Sequence, residues 1–274
     1  MKNDQIFSAD NDTPHVYPAF YWTIADTLVI TKRELKRISR NPDDIVGAII
    51  VPIIFFVLFR YVFGGAIVIP GNDNYSNYLV AGVLVMTVFF SSGTVGLGVC
   101  SDLESGIIDR FVSLPMARSA VLNGRVLASF IKSFFILLFM LAFSVLLGFR
   151  PEGTVINYLI ALGLLMLSCL AYIWFIALFA LLVRSVESFG AIGPLFMMLF
   201  VFFSSGLVPT STMPGWLQIY AKHQPFSLLI DAVRGLVLNR PDTSAIWQST
   251  VWFVILILIL VPLSVWVYGR RAAR

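Results

Sequence analysis

Apolar residues along this chain fall into long runs separated by short polar breaks, and those runs set the first expectation. A helix crossing a bilayer needs about 20 mainly apolar residues. Six runs reach that length, at roughly 45–63, 78–100, 121–148, 155–183, 189–208 and 246–268. None shows the short alternating segments of an outer-membrane barrel. Pro52, Pro194 and Pro262 fall inside or near the ends of runs, where neighbouring helices can satisfy the freed backbone groups. Ahead of the first run, residues 17–40 carry another pattern. Phe20, Ile24, Leu28, Leu35 and Ile38 recur near helical spacing, while Lys32, Arg33, Lys36, Arg37 and Arg40 crowd the remaining positions. This predicts a basic amphipathic helix lying in the membrane interface. Residues 1–16 are polar, predict a flexible tail, and lack the early apolar core of a signal peptide.

Composition agrees with the pattern. Of the 274 residues 58% are hydrophobic and 12% charged, about half the charged share of a soluble domain. The fold class that follows is an all-α integral membrane protein, with no stretch polar enough for a soluble domain. The net charge of +4 gathers at the ends of apolar runs, which suits anionic lipid headgroups and not nucleic acid. With the N-terminus inside, 14 of the 19 Lys and Arg residues fall on inner segments. Only Arg60, Arg150, Lys222, Arg234 and Arg240 fall outside. That bias places both termini in the cytoplasm. Cys100 and Cys169 sit in or at apolar runs and read as small packing residues rather than a disulfide.

One charged island interrupts the apolar pattern between the second and third runs. Asp102, Glu104, Asp109 and Arg110 lie there, with Gly106 as a break and Pro115 as a stop. Phe111, Val112 and Leu114 give the segment an apolar side. It reads either as a solvated loop or as a short amphipathic helix docking onto another protein. Arg184 and Glu187 mark a second polar turn between runs four and five. The second run is less apolar at its inner half, where Ser91, Ser92 and Thr94 precede closely spaced glycines. Such small residues suit a translocation path, a face toward a partner span, or ordinary tight packing. In the fifth run Met197, Phe200, Phe203 and Ser204 belong to a dense group of aromatics and methionines that suits varied apolar cargo or plain core packing. Lys132, deep in the third run, either snorkels to the inner headgroups or lines a polar pathway; Arg60 is expected to snorkel outward.

Residues 209–245 are too apolar for a free loop and too often broken by proline to span. Two short helices over 213–236 are expected to dip into the outer leaflet, carrying Trp216, Pro225, Asp231 and Arg234. Asp231 and Arg234, three apart, can pair on one helix face. Several chemistries are missing. No glycine precedes a lysine, so no P-loop for nucleotide exists. The two histidines, His15 and His223, form no metal-binding pattern, and no nucleophile elbow occurs. The apolar interiors hold no Asp or Glu to relay protons.

Taken together, the island from Glu104 to Arg118, the Arg60–Gly65 segment and the Gly206–Gly235 segment resemble the permease of type-2 ATP-binding-cassette exporters. The daunorubicin-resistance class is the nearest in pattern. That resemblance implies one transmembrane domain over 17–274 with an elbow helix at 17–40, six spans, a cytoplasmic coupling helix at 102–115 and an outer helical hairpin. It further implies separate cytoplasmic P-loop ATPase subunits, which would carry the ATP and magnesium, and a second permease copy or homologue. Gln224 stands where some members have Asn. The function implied is export of a drug, antibiotic or lipid across a bacterial plasma membrane, by a subunit that is not itself an enzyme. A non-transporting membrane scaffold or assembly subunit is the alternative.

Overall fold

The computed structural model describes residues 19–64, 75–105, 118–183, 185–210 and 213–271, and side chains are placed for those outside 19–22 and 118–119. The expected tail at 1–16 lies outside them. The described residues form nine α-helices in chain order: α1 (Ala19–Arg40), α2 (Asp43–Val57), α3 (Tyr75–Glu104), α4 (Arg118–Leu146), α5 (Val155–Leu182), α6 (Val186–Phe202), α7 (Gly215–His223), α8 (Pro225–Val237) and α9 (Thr243–Arg271). No strand occurs among the described residues.

Local chemistry accounts for several boundaries. Asp43 and Asp44 place negative charge in the first turn of α2, where the helix dipole favours it. Beyond the buried Pro52, α2 widens into a π-helical stretch, Leu58–Phe63. Thr154 caps α5 by accepting from the Asn157 backbone N–H at 3.3 Å. Ser185 caps α6 in the same way through Ser188 N–H, at 3.1 Å.

α3 is the axis of the bundle, with α2, α4, α5, α6 and α8 packed around it. Its most apolar window is 78% buried, against 17% in α2 and in α9. The two flanking helices thus turn apolar faces outward: Val46, Ile50 and Ile54 on α2, and Ile255, Leu258 and Ile259 on α9. Such faces are stable only against hydrocarbon or another apolar surface.

Among the described residues five helices are long and apolar enough to cross a membrane: Asp43–Phe63, Tyr75–Glu104, Ala120–Leu146, Val155–Leu182 and Thr243–Arg271. The run expected at 189–208 instead gives a 17-residue helix ending at Phe202. The cause is local. Ser204 Oγ donates to Val201 C=O at 2.6 Å and accepts from Gly206 N–H at 3.2 Å, so a serine side chain replaces the helical ladder. Gly206 then lies against Gly82 of α3. A Cβ on Gly82 would stand 2.3 Å from Gly206 O, so only glycine permits this backbone approach.

Candidate functional site

At the α1 end of the bundle, charges from three helices meet. Glu34 of α1 is 3% exposed. Its carboxylate takes Arg33 Nη2 at 3.0 Å and Arg37 Nε at 2.9 Å from its own helix. Arg125 of α4, also buried, reaches Asp102 Oδ2 of α3 at 2.7 Å and Glu34 Oε1 at 3.7 Å through the same nitrogen, Nη2. Its other two nitrogens, Nε and Nη1, are buried without a hydrogen-bond acceptor among the described residues. Gly98 of α3 provides the space, since a Cβ there would stand 2.5 Å from Nη1. Burial pushes the Glu34 carboxyl up, Arg125, Arg37 and Arg33 pull it down, and the arginines prevail, leaving it below its ordinary value. Thr31 of α1 adds a neutral tie, donating to Gly124 C=O of α4 at 3.3 Å.

Asp102 and Glu104 belong to the last turn of α3 rather than to a separate helix beginning at 102. Gly106, Asp109, Arg110, Pro115 and Arg184, also expected at this site, lie outside the described residues. Glu104 is exposed, yet its Oε1 is taken inside the chain: it accepts from Val186 N–H, the first residue of α6, at 2.7 Å. That bond ties the end of α3 to the polar turn before α6. Glu187 is exposed in the first turn of α6.

The small residues of α3 are packing surfaces within the chain. Ser91 and Ser133 of α4 share a hydrogen bond of 2.7 Å. Gly93 lies under Met197 and Gly96 under Phe189, both on α6. Ser92 donates to Val88 C=O at 2.8 Å. Thr94 accepts from Lys132 Nζ. Lys132 is 5% exposed, so it does not snorkel to headgroups but turns inward to α3. Phe200 stacks edge-to-face on Phe196 and Phe89, Phe203 meets Tyr220, and Ser204 is buried at the helix break. Arg60 likewise turns inward. It donates to Ser76 and lies beside Gly148, whose φ of +91° and lack of Cβ both admit the guanidinium.

The opposite end holds a second arginine site. Arg234 of α8 donates through Nε to Tyr78 C=O at 3.3 Å, through Nη1 to Asp231 Oδ1 at 2.8 Å and through Nη2 to Ser205 C=O at 2.7 Å. Its guanidinium lies 3.7 Å from the Tyr78 ring centroid. Tyr78 Oη donates to Ser205 C=O at 2.9 Å, and Ser205 Oγ to Asp231 at 2.9 Å. Pro225 opens α8 where its missing N–H costs nothing. Gln224, at the cap, donates to Phe203 C=O. Trp216 of α7 is 72% exposed.

The pair Asp231–Arg234 was visible as a spacing, whereas Glu34, Arg125 and Tyr78 were not singled out. One signal existed for Glu34: it is the only acid among the five cations crowding the end of α1.

Residues 25–238 match the ABC-2 type transporter family. The chain is 30% identical over 257 residues to the probable doxorubicin resistance ABC transporter permease protein DrrC of Mycobacterium tuberculosis, covering 91% of this chain and 90% of the relative. It is 25% identical to the daunorubicin resistance ABC transporter permease protein DrrB1 of Streptomyces coeruleorubidus, over 93% and 90% of the two chains. A putative transport permease, ycf38, of Porphyra purpurea is 27% identical over 83% of this chain and 78% of the relative.

Proposed function

The chain belongs to the ABC-2 type transporter family and is a membrane permease, and from that premise we propose that it exports a hydrophobic or amphiphilic compound, a drug, antibiotic or lipid, using the ATPase of separate P-loop subunits. The observation carrying this reading is the likeness to a doxorubicin resistance permease over nine-tenths of both chains. The excess of Lys and Arg on inner segments supports a bacterial plasma-membrane protein with both termini in the cytoplasm. Six crossings fit that parity, with α6 and the 203–208 turn together completing the fifth. The amphipathic α1 serves as the elbow helix, and α7 and α8 as the outer hairpin.

In this reading two permeases pair, and ATP-driven closure of the motor subunits reaches the spans through segment 102–115 and the turn at 184–188. The Glu104–Val186 bond makes those two segments move as one. The charged knot of Glu34, Arg125 and Asp102 passes the same displacement to the elbow. The reading is tested by co-expressing the chain with a candidate P-loop ATPase and assaying inverted vesicles. ATP-dependent uptake of doxorubicin is expected. A complex that assembles but hydrolyses ATP without moving any apolar or amphiphilic compound would sink the export reading and leave a scaffold role.

A further inference from the structure

The last turns of α1 divide two spaces of opposite character. On one flank an open groove of about 480 Å³ runs between α1, α2 and α4. Leu35, Ile38 and Ser39 of α1 form one wall, and Ile45 and Ile49 of α2 another. α4 lines it from Ile131 to Phe139, about 12 Å of helix at 1.5 Å per residue. Ser39 and Lys132 are the polar members of an otherwise apolar lining, and Lys132 donates its Nζ to Thr94 of α3. Phe135 and Phe139 are 63% and 48% exposed, so the groove opens along a helix long enough to cross a membrane. An apolar slot in that position takes hydrocarbon.

On the other flank lies a polar basin of about 600 Å³, lined on α1 by Lys36, Arg37 and Arg40. Arg33 and Arg125 bring its cations to five, against two carboxylates, Glu34 and Asp102. Both carboxylates are taken, Glu34 by Arg33 and Arg37, and Asp102 by Arg125. Lys36 and Arg40 are exposed and form no ion pair among the described residues. One turn apart, they stand about 60° and 100° round the helix from Ser39, on the same side of it. Both therefore border the groove. Asp43 and Asp44 open α2, which leaves α1 as the cationic bank.

We propose that the groove and this bank together seat one anionic phospholipid, an acyl chain along α4 and the phosphate against Lys36 and Arg40. Such an amphiphile answers both halves at once. A zwitterionic lipid fills the groove but brings a cation of its own to the bank. An acidic peptide meets the bank and leaves the groove empty. Placement in the cytoplasmic leaflet rests on the orientation given under the proposed function; the seat itself does not depend on transport.

The probes are phosphatidylglycerol and phosphatidylcholine, each with a diazirine on one acyl chain. The full chain in nanodiscs holding either lipid is irradiated, and labelled peptides are quantified by mass spectrometry. Label is expected on α4 over 131–139 and on α2 over 45–49. Phosphatidylglycerol should exceed phosphatidylcholine there about twentyfold, roughly fivefold for each of two cations. Lys36→Gln and Arg40→Gln should each cut that preference roughly fivefold, with phosphatidylcholine label and melting temperature unchanged. Arg271→Gln removes an exposed cation from the end of α9, outside both spaces, and should leave the preference intact. Ser39→Trp places bulk at an exposed position on the groove wall and should lower label from both lipids.

Equal label from the two lipids would overturn the seat, as would label equally dense on the outward face of α9 over 255–259. An equal loss in Arg271→Gln would reduce the preference to diffuse attraction and overturn it too. Inorganic phosphate at millimolar concentration should leave the preference standing; erasing it would show an anion bound without the groove. Lys36→Gln and Arg40→Gln that shed a P-loop subunit while keeping their choice of lipid would give the bank to a protein partner instead. Sidedness is read separately, with an impermeant reagent on an N-terminal tag in sealed vesicles. Groove label with the tag outside removes the cytoplasmic placement and keeps the seat. A cytoplasmic tag without lipid preference removes the seat and keeps the placement.

Discussion

Two arginines, one at each end of the bundle, are built to opposite specifications: Arg125 is buried and Arg234 half-buried. Arg234, near the hairpin, has an acceptor for each of its three nitrogens and a tyrosine ring against its face. Two of those acceptors are backbone carbonyls, fixed in place by the helix break at Ser205 and by the first turn of α3. Arg125, near α1, has both its ionic contacts on one nitrogen and none on the other two. Its partners are carboxylates on two different helices, which any shift of either helix would rearrange. A fully met cation makes a clasp with one favoured geometry. A partly met buried cation stands higher in free energy and gains bonds on moving. In the proposed mechanism the difference separates an end that is held from an end that is driven, the driven end being the one at Asp102.

The largest expected effect comes from the closest contact of the clasp. Gly82→Leu would force a side chain into Gly206 backbone, where even a Cβ stands at 2.3 Å. A loss of about 3 kcal/mol or more is expected, since neither partner is a flexible side chain that can yield. Thermal unfolding in detergent checks it. A Gly82→Leu protein that melts with the native one would mean that the clasp is loose.

The comparison itself is sharpened by truncating both arginines to the same apolar residue. Arg234→Met strips donors from the Tyr78 and Ser205 carbonyls and leaves Asp231 without its cation; a loss of about 2 kcal/mol is expected. Arg125→Met leaves Glu34 with Arg33 and Arg37 but strips the largely buried Asp102 of its 2.7 Å partner; a loss of about 3 kcal/mol is expected. Coupling should separate the two further. In the reconstituted complex, Arg125→Met is expected to reduce transport per ATP hydrolysed more than Arg234→Met does. Equal uncoupling, or an uncoupling confined to Arg234→Met, would erase the contrast.

Much of this was legible locally. Helical periodicity marked α1, and run length marked five helices that can cross a membrane, because both signals lie within one contiguous stretch. The Asp231–Arg234 pair was legible for the same reason, being three residues apart. The end of α6 was not, because a serine-rich turn inside an apolar run looks like a span until Gly82 is brought against it. Lys132 and Arg60 were expected to reach for headgroups on the basis of helix length alone. Their actual partners, Thr94 and Ser76, are on α3 and invisible to a rule that treats each helix separately. The Glu34–Arg125–Asp102 knot joins three distant segments, so no spacing announces it. The island's own Gly106, Asp109, Arg110 and Pro115 stand where the sequence alone left them.

The smallest expected effect is a pH dependence of the driven end. The folded Glu34 carboxyl lies below its ordinary value because its arginines outweigh its burial. A depressed carboxyl contributes stability that is present above the unfolded-state value and is lost as pH falls through the folded one. Wild-type protein should therefore lose melting temperature, relative to Glu34→Gln, as pH is lowered from neutral through the carboxylate range, and the gap between them should narrow. The clasp supplies the control. Arg234→Met leaves Glu34 untouched, so its melting curve should keep the wild-type pH slope while lying lower throughout. A wild-type slope shared by Glu34→Gln would show that some other carboxylate titrates, with Asp102, bonded to the same Arg125 nitrogen, the first to substitute.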